Sequence, residues 1–170
     1  MAKNNLPERA EIRGIGVTFK NFSGRESQYN RSGNRNFSII LDDEMADQMI
    51  RDGWNVRVKE YDDGSRSNTL QVAVRFDIER FAPKVVMVTP KGKFFKKTTL
   101  NEQNVGELDS ARIVEANVLL NPSFWHNAMG NSGIKAYLDT GYFIIEKDIC
   151  EDDYPEEDEF EDDYPEEYPL

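Results

Sequence analysis

Short alternating segments separated by turn residues make up most of the chain. In RGIGVTFKNF, starting at Arg13, the residues Ile15, Val17 and Phe19 share one face, and Gly14, Gly16, Thr18 and Lys20 the other. That period of two predicts a half-buried strand, and its glycines mark a bend or a close approach. NFSIIL puts Phe37, Ile39 and Leu41 on one face of a second strand. WNVRVKEY and TLQVAVRFD alternate around Asp63-Gly64, a hairpin signal. Val56, Val58, Leu70, Val72, Val74 and Phe76 are expected inward there, with Arg57, Lys59, Tyr61, Gln71 and Arg75 outward. KVVMVTPKGKFFKKT predicts another hairpin, turning at Pro90 to Gly92, and RIVEANVLL and GIKAYLDTGYFIIEK two last strands separated by an aromatic loop, NPSFWHNAMGNSG.

One stretch changes period. In DDEMADQMIRDG, Asp42 or Asp43 caps a helix, Met45, Met49 and Ile50 form its packing stripe, and Gly53 stops it. Thr99-Leu100-Asn101-Glu102 fits a capping box for a short helical turn that Gly106 limits. The polar stretch SGRESQYNRSGNR is long for a connection, a property of binding or disordered loops. Eight strands and one clear helix predict a mainly β domain, either a barrel or a sandwich.

Charge divides the chain in two. Of 170 residues, 21 are Lys or Arg and 32 are Asp or Glu, a net charge of -11. The segment EDDYPEEDEFEDDYPEEYPL, residues 151–170, holds twelve of the acids and no base, leaving 20 acids against 21 bases in residues 1–150. A near-neutral body is thus tethered to a concentrated anion that buries too little apolar surface to fold and is expected to be disordered. The single cysteine, Cys150, excludes an intrachain disulfide. No stretch approaches the roughly 18 apolar residues of a membrane span, and MAKNNLPERAEIR lacks the apolar run of a signal peptide, so a cytoplasmic protein without membrane association is expected.

Catalytic constellations are missing from the sequence. His126 and Cys150 are the lone members of their types, too few for the usual structural zinc site and poorly placed as a nucleophile pair. Neither a P-loop nor a dinucleotide GxGxxG is present. A binding protein without metal or cofactor is expected.

Cations interleaved with aromatic rings are what single-stranded nucleic acid needs, because phosphates follow the cations and bases stack on the rings. They recur in three clusters: Arg25, Tyr29, Arg31 and Arg35; Arg57, Lys59, Tyr61 and Arg75; and Lys91, Lys93, Phe94, Phe95, Lys96 and Lys97. Trp54, Phe124 and Trp125 are further candidate stackers. Taken singly, a lysine-rich hairpin protects an edge strand and a tryptophan belongs to a core; three clusters together ask for a polyanion. The acidic segment then becomes an internal competitor for the same groove. Its Tyr154, Phe160, Tyr164, Tyr168 and Leu170 are candidate docking positions for partner proteins.

This combination of a β-rich body, basic-aromatic hairpins and a strongly acidic C-terminal segment resembles the OB-fold single-stranded DNA-binding proteins of bacteriophages, and NPSFWHNAMGNSGIKAYLDTGYFII is similar to their closing segment. The resemblance implies an OB-fold-like barrel with one short helix and extra hairpins over residues 1–150, and a disordered acidic tail over 151–170. It implies non-specific binding and protection of single-stranded DNA in DNA replication, recombination and repair, in the host cytoplasm. The tail would compete for the groove and recruit replication or recombination proteins, and a homo-oligomer stays open. Rival readings are a chaperone-like module whose acidic tail is itself the binding element, a phage structural β-sandwich, and an RNA-binding protein.

Overall fold

The computed structural model describes residues 7–28, 30–77 and 82–146. In chain order these form β1 (Ala10–Ile15), β2 (Val17–Asn21), β3 (Arg35–Leu41), α1 (Asp43–Arg51), β4 (Val56–Glu60), β5 (Arg66–Val74), β6 (Lys84–Lys91), β7 (Phe94–Leu100), α2 (Glu107–Ser110), β8 (Ile113–His126) and β9 (Ser132–Ile145). Hydrogen bonds connect β1-β8-β9-β5-β3-β2 in that order. Only Gly16 separates β1 from β2, so the two ends of this path are one bent strand and the sheet curls into an OB-like barrel. β4 lies on the edge of β5 and the β6–β7 hairpin on β9. The long β9 serves both: its first half runs parallel to β5 (Val72↔Ala136) and its second half parallel to β6 (Lys84↔Thr140).

Inside the barrel, Phe22 and Phe37 stack at 5.0 Å, and Phe143 meets each edge-on at 5.3 Å. Leu70, Val72 and Val74 of β5 and Phe37, Ile39 and Leu41 of β3 are buried, as the alternation predicts. α1 covers one end. The Asp42 carboxylate accepts from the Met45 N–H at 2.7 Å, and Gly53 ends the helix with φ +97°. Ala46 and Met49 face inward, while Ile50, expected in the packing stripe, is exposed. Buried Asn68 ties helix to barrel by donating to the Leu41 carbonyl and the Asp43 carboxylate.

Local register overturns several expectations. Thr18 pairs with Ser38 and Asn21 with Asn36, so Phe19 and Lys20 together oppose the single residue Phe37. This bulge inverts the alternation: Phe19, expected inside, is 75 % exposed with φ +49°, and Phe22 fills the core instead. Separately, the break at Gly16 divides one predicted strand into β1 and β2, and the described residues hold nine strands. Val58, expected inward, is exposed, because β4 pairs only with β5. The lysine hairpin turns at Gly92-Lys93, one step later than expected, with Gly92 at φ +60° and Pro90 opposite Phe95 inside the ladder. The helical turn near residue 101 is capped by Asn101 rather than Thr99: the Asn101 Oδ1 accepts from the Gln103 and Asn104 N–H groups.

The largest correction concerns NPSFWHNAMGNSG. Residues 121–126 continue β8, pairing in register from Asn121↔Tyr137 to His126↔Ser132, so only residues 127–131 remain as a turn. Asn127 holds it by accepting from the Met129 and Asn131 N–H groups. Among the described residues no helix is long and apolar enough to cross a membrane. Tyr29, Cys150 and the acidic segment 151–170 lie outside the described residues.

Candidate functional site

Residues directly opposite in a ladder project from the same face of the sheet. Ala73 of β5 is opposite Asn36 of β3 and Tyr137 of β9, and Gln71 is opposite Ser38. Tyr137, Lys135 and Gly133 are opposite Asn121, Ser123 and Trp125 of β8. On the other flank, Arg57 and Lys59 of β4 are opposite Thr69 and Ser67. Since Leu70, Val72 and Val74 face the core, these residues form one outer surface across β4, β3, β5, β9 and β8. It is a polar and aromatic face assembled from five strands.

Two cavities run along it, of about 770 and 630 Å³, and both are lined by Arg75 and Tyr137, so they form one trough. Arg9, Asn121, Ser123 and Asp139 line one arm. Arg35, Asn36, Gln71, Phe76 and Lys135, with the β2–β3 loop from Asn30 to Asn34, line the other.

At the junction, the Arg75 guanidinium forks onto Asp77, with Nε 3.1 Å from Oδ1 and Nη2 2.6 Å from Oδ2. Its pKa is raised, first by this bond to Asp77 and then by the neighbouring Tyr137 side chain, and the Asp77 carboxyl is held below its usual range by Arg75. Lys135 Nζ sits 5.3 Å from the centre of the Tyr137 ring. Arg35, its side chain only 18 % exposed, lies 5.8 Å from the centre of the Phe76 ring and 3.8 Å from the Glu102 carboxylate. Its Nε is buried without a hydrogen-bond partner among the described residues. Cations are therefore held against aromatic faces along its length.

The β2–β3 loop owes its shape to asparagines. Asn30 Nδ2 donates to the carbonyls of Arg25, Arg31 and Asn34, Asn36 donates to Asn30 Oδ1, and Asn21 exchanges bonds with Arg25. Arg25 and Arg31 are exposed on this folded loop.

Of the sequence candidates, Arg35, Arg57, Lys59, Arg75 and Trp125 share the trough face or its wall, and Tyr61 carries the Lys59 Nζ 5.3 Å from its ring centre. Trp125 lies across Gly133, where an added Cβ would approach its Nε1 to 3.1 Å. Trp54 is 5 % exposed, bridged to Ile134 and part of the core, and it does not line the trough. Phe124 projects from the opposite face, beside His126. The third cluster is elsewhere: Lys91, Lys93, Phe94, Lys96 and Lys97 belong to the hairpin on the second half of β9, and none of them lines the trough. Phe95 of that hairpin packs on Val86, Val88, Tyr142 and Ile144.

Tyr137 and Lys135 were missed by reading charge clusters along the chain, although Ile134, Ala136 and Leu138 face the core and the alternation puts the two between them outward. Phe76, expected inward, is half-buried in the trough wall. Among the described residues no three His, Cys, Asp or Glu side chains gather to hold a metal. Fixed cations, ring faces and amides suit a flexible polyanion carrying planar groups.

A family model for a phage ssDNA-binding domain matches residues 2–166. The fold is similar to the single-stranded DNA-binding protein from bacteriophage Enc34 in its C-terminally truncated form, with TM-score 0.53 and 9% identity over 82% of this chain and 87% of that one. It is also similar to the Enc34 protein in complex with ssDNA, with TM-score 0.52 and 10% identity over 82% and 86% of the two chains. No curated protein matches in sequence.

Proposed function

The chain belongs to the phage ssDNA-binding domain family, and from that premise we propose that it binds single-stranded DNA, without sequence preference, in the trough across β3, β5, β9 and β8. The observation that carries this is the trough's junction, where Tyr137 offers a ring between Lys135 and Arg75. Bases stack on such a ring while phosphates follow the cations, and every base has a face to stack. Arg35 and the asparagine-braced loop with Arg25 and Arg31 continue the path at one end, Trp125 at another, and Arg57, Lys59 and Tyr61 extend it along β4. The solved complex of the Enc34 protein with ssDNA, which shares the fold, supports the reading.

Residues 1–150 act as the binding domain and 151–170 as its acidic tail. β6 and β9 run parallel, so Glu146 lies at the same end of the extension as the Gly92-Lys93 turn. Glu146, the last described residue, is therefore at the end of the extension that carries Lys91, Lys93, Lys96 and Lys97, and the twelve carboxylates follow it in sequence. In this reading the tail competes with DNA for the protein's cations, and its aromatic residues dock replication or recombination proteins once DNA occupies the trough. The protein protects exposed single strands during phage DNA replication, recombination and repair. It is a binder and not an enzyme.

A titration with oligo-dT at low and moderate salt, on the full chain and on residues 1–150, tests this. Both forms bind, the truncated one more tightly, and affinity falls with salt by about 0.7 in log K per log unit of salt for each phosphate neutralised. Absence of binding by both forms sinks the reading. Equal affinity of the two forms removes the tail from it, and tighter binding of oligo-U would move the protein to the RNA class.

A further inference from the structure

Among the described residues, each of the three arginines that line the trough has a carboxylate beside it there. Arg75 forks onto Asp77 at 2.6 and 3.1 Å, Arg9 Nη1 lies 3.3 Å from Asp139 Oδ2, and Arg35 Nη1 lies 3.8 Å from Glu102 Oε1. All six residues line one or other arm. A guanidinium fork recognises carboxylate and phosphate in the same planar geometry. We propose that Asp77, Glu102 and Asp139 stand in for DNA phosphates in the empty trough, holding the arginines in binding geometry and yielding them when a strand arrives.

Exchange is feasible because the acids are accessible. Their side chains are 64 % (Asp77), 53 % (Glu102) and 30 % (Asp139) exposed, and exposed ion pairs are weak enough for an incoming phosphate to displace. Asp139 is the most firmly held, also accepting from Asn121 and Thr140, so Asp77 and Glu102 yield first. The arrangement has two effects. An arginine already extended loses less side-chain freedom when it binds. Each displaced carboxylate also stays beside the bound strand and repels it, which lowers affinity for any polyanion and sets a threshold that only a strand long enough to add stacking contacts overcomes.

The inference rests on the trough being the strand-binding site, and its test separates the two claims. Asp77→Asn, Glu102→Gln, their double variant, Arg75→Ala and a control, Glu44→Gln on the exposed face of α1, are titrated with oligo-dT at several salt concentrations, with thermal melts verifying each fold. Asp77→Asn binds about two- to five-fold more tightly than wild type at low salt, the range set by an exposed ion pair. The double variant gains roughly the product of the single gains, the advantage shrinks as salt screens the pairs, and Glu44→Gln is unchanged. Affinity in the aspartate and glutamate variants at or below wild type, with Arg75→Ala weakened, overturns the stand-in role while leaving the trough intact as the site. An equal gain in Glu44→Gln assigns the effect to net charge and overturns it too. If wild type fails to bind, the functional reading fails and this inference falls with it.

Discussion

Replacing Tyr137 by alanine removes the one ring common to both arms of the trough among the described residues. A base stacked on an aromatic side chain contributes about 1–3 kcal/mol, so Tyr137→Ala weakens oligo-dT binding by roughly 5- to 150-fold. The hydroxyl lies near Arg75, but Asp77 holds that guanidinium by two bonds. Tyr137→Phe, which keeps the ring, should therefore cost under about 1 kcal/mol. Fluorescence anisotropy of a labelled oligo-dT, at one fixed salt concentration, reads both variants, and circular dichroism melts establish that they fold. Tyr137→Ala within two-fold of wild type, with its fold intact, would refute the stacking role and shift the site away from the junction.

Three predictions concern stability. At Gly141 an added Cβ would sit 2.6 Å from Phe143 Cε2, a ring wedged against Phe22 and Phe37, so Gly141→Ala should cost about 1–3 kcal/mol in urea unfolding; a neutral result would mean the aromatic core is looser than its contacts suggest. Phe19 combines φ +49° with an exposed ring, so Phe19→Asn, which tolerates that backbone, should stabilise by about 1 kcal/mol, and a loss of stability would reveal packing by the ring. The Asp63 carboxyl is held below its usual range, first by the Ser65 hydroxyl and then by the Ser65 N–H. A depressed folded pKa gives stability that is present above the unfolded value near 4 and is lost as pH falls through the folded one. Asp63→Asn should therefore flatten the decline in urea midpoint as pH falls below about 4, and an unchanged decline would contradict it.

Alternation was legible where strands pair without interruption. Phe37, Ile39 and Leu41, and Leu70, Val72 and Val74, sit where a period of two puts them, because β3 and β5 keep one register from Arg35↔Val74 to Leu41↔Asn68. Phe19 failed because RGIGVTFKNF carries an extra residue opposite Phe37, a bulge defined only by its pairing with β3 and not by its own alternation. NPSFWH looked like a loop because Asn, Pro and Ser are turn residues, yet long-range pairing with β9 carries it on as strand. The charge clusters were visible, but proximity along the chain did not show which would converge. Arg35 and Arg75 meet at the trough from different strands, whereas the most lysine-rich segment lies on the β6–β7 extension. Tyr137 and Lys135 carry no local excess of charge, and what marks them is their position opposite Asn121 and Ser123.

The most direct measurement is a map of backbone amide shifts in the full chain as oligo-dT is added. Binding in the trough predicts the largest shifts at Asn36, Gln71, Ala73 and Arg75, at Lys135 and Tyr137, and at Asn121, Ser123 and Trp125, with weaker ones in the β2–β3 loop and along β4. Shifts confined to the β6–β7 lysine hairpin, with those strands silent, would contradict the account and make that hairpin the strand-binding site.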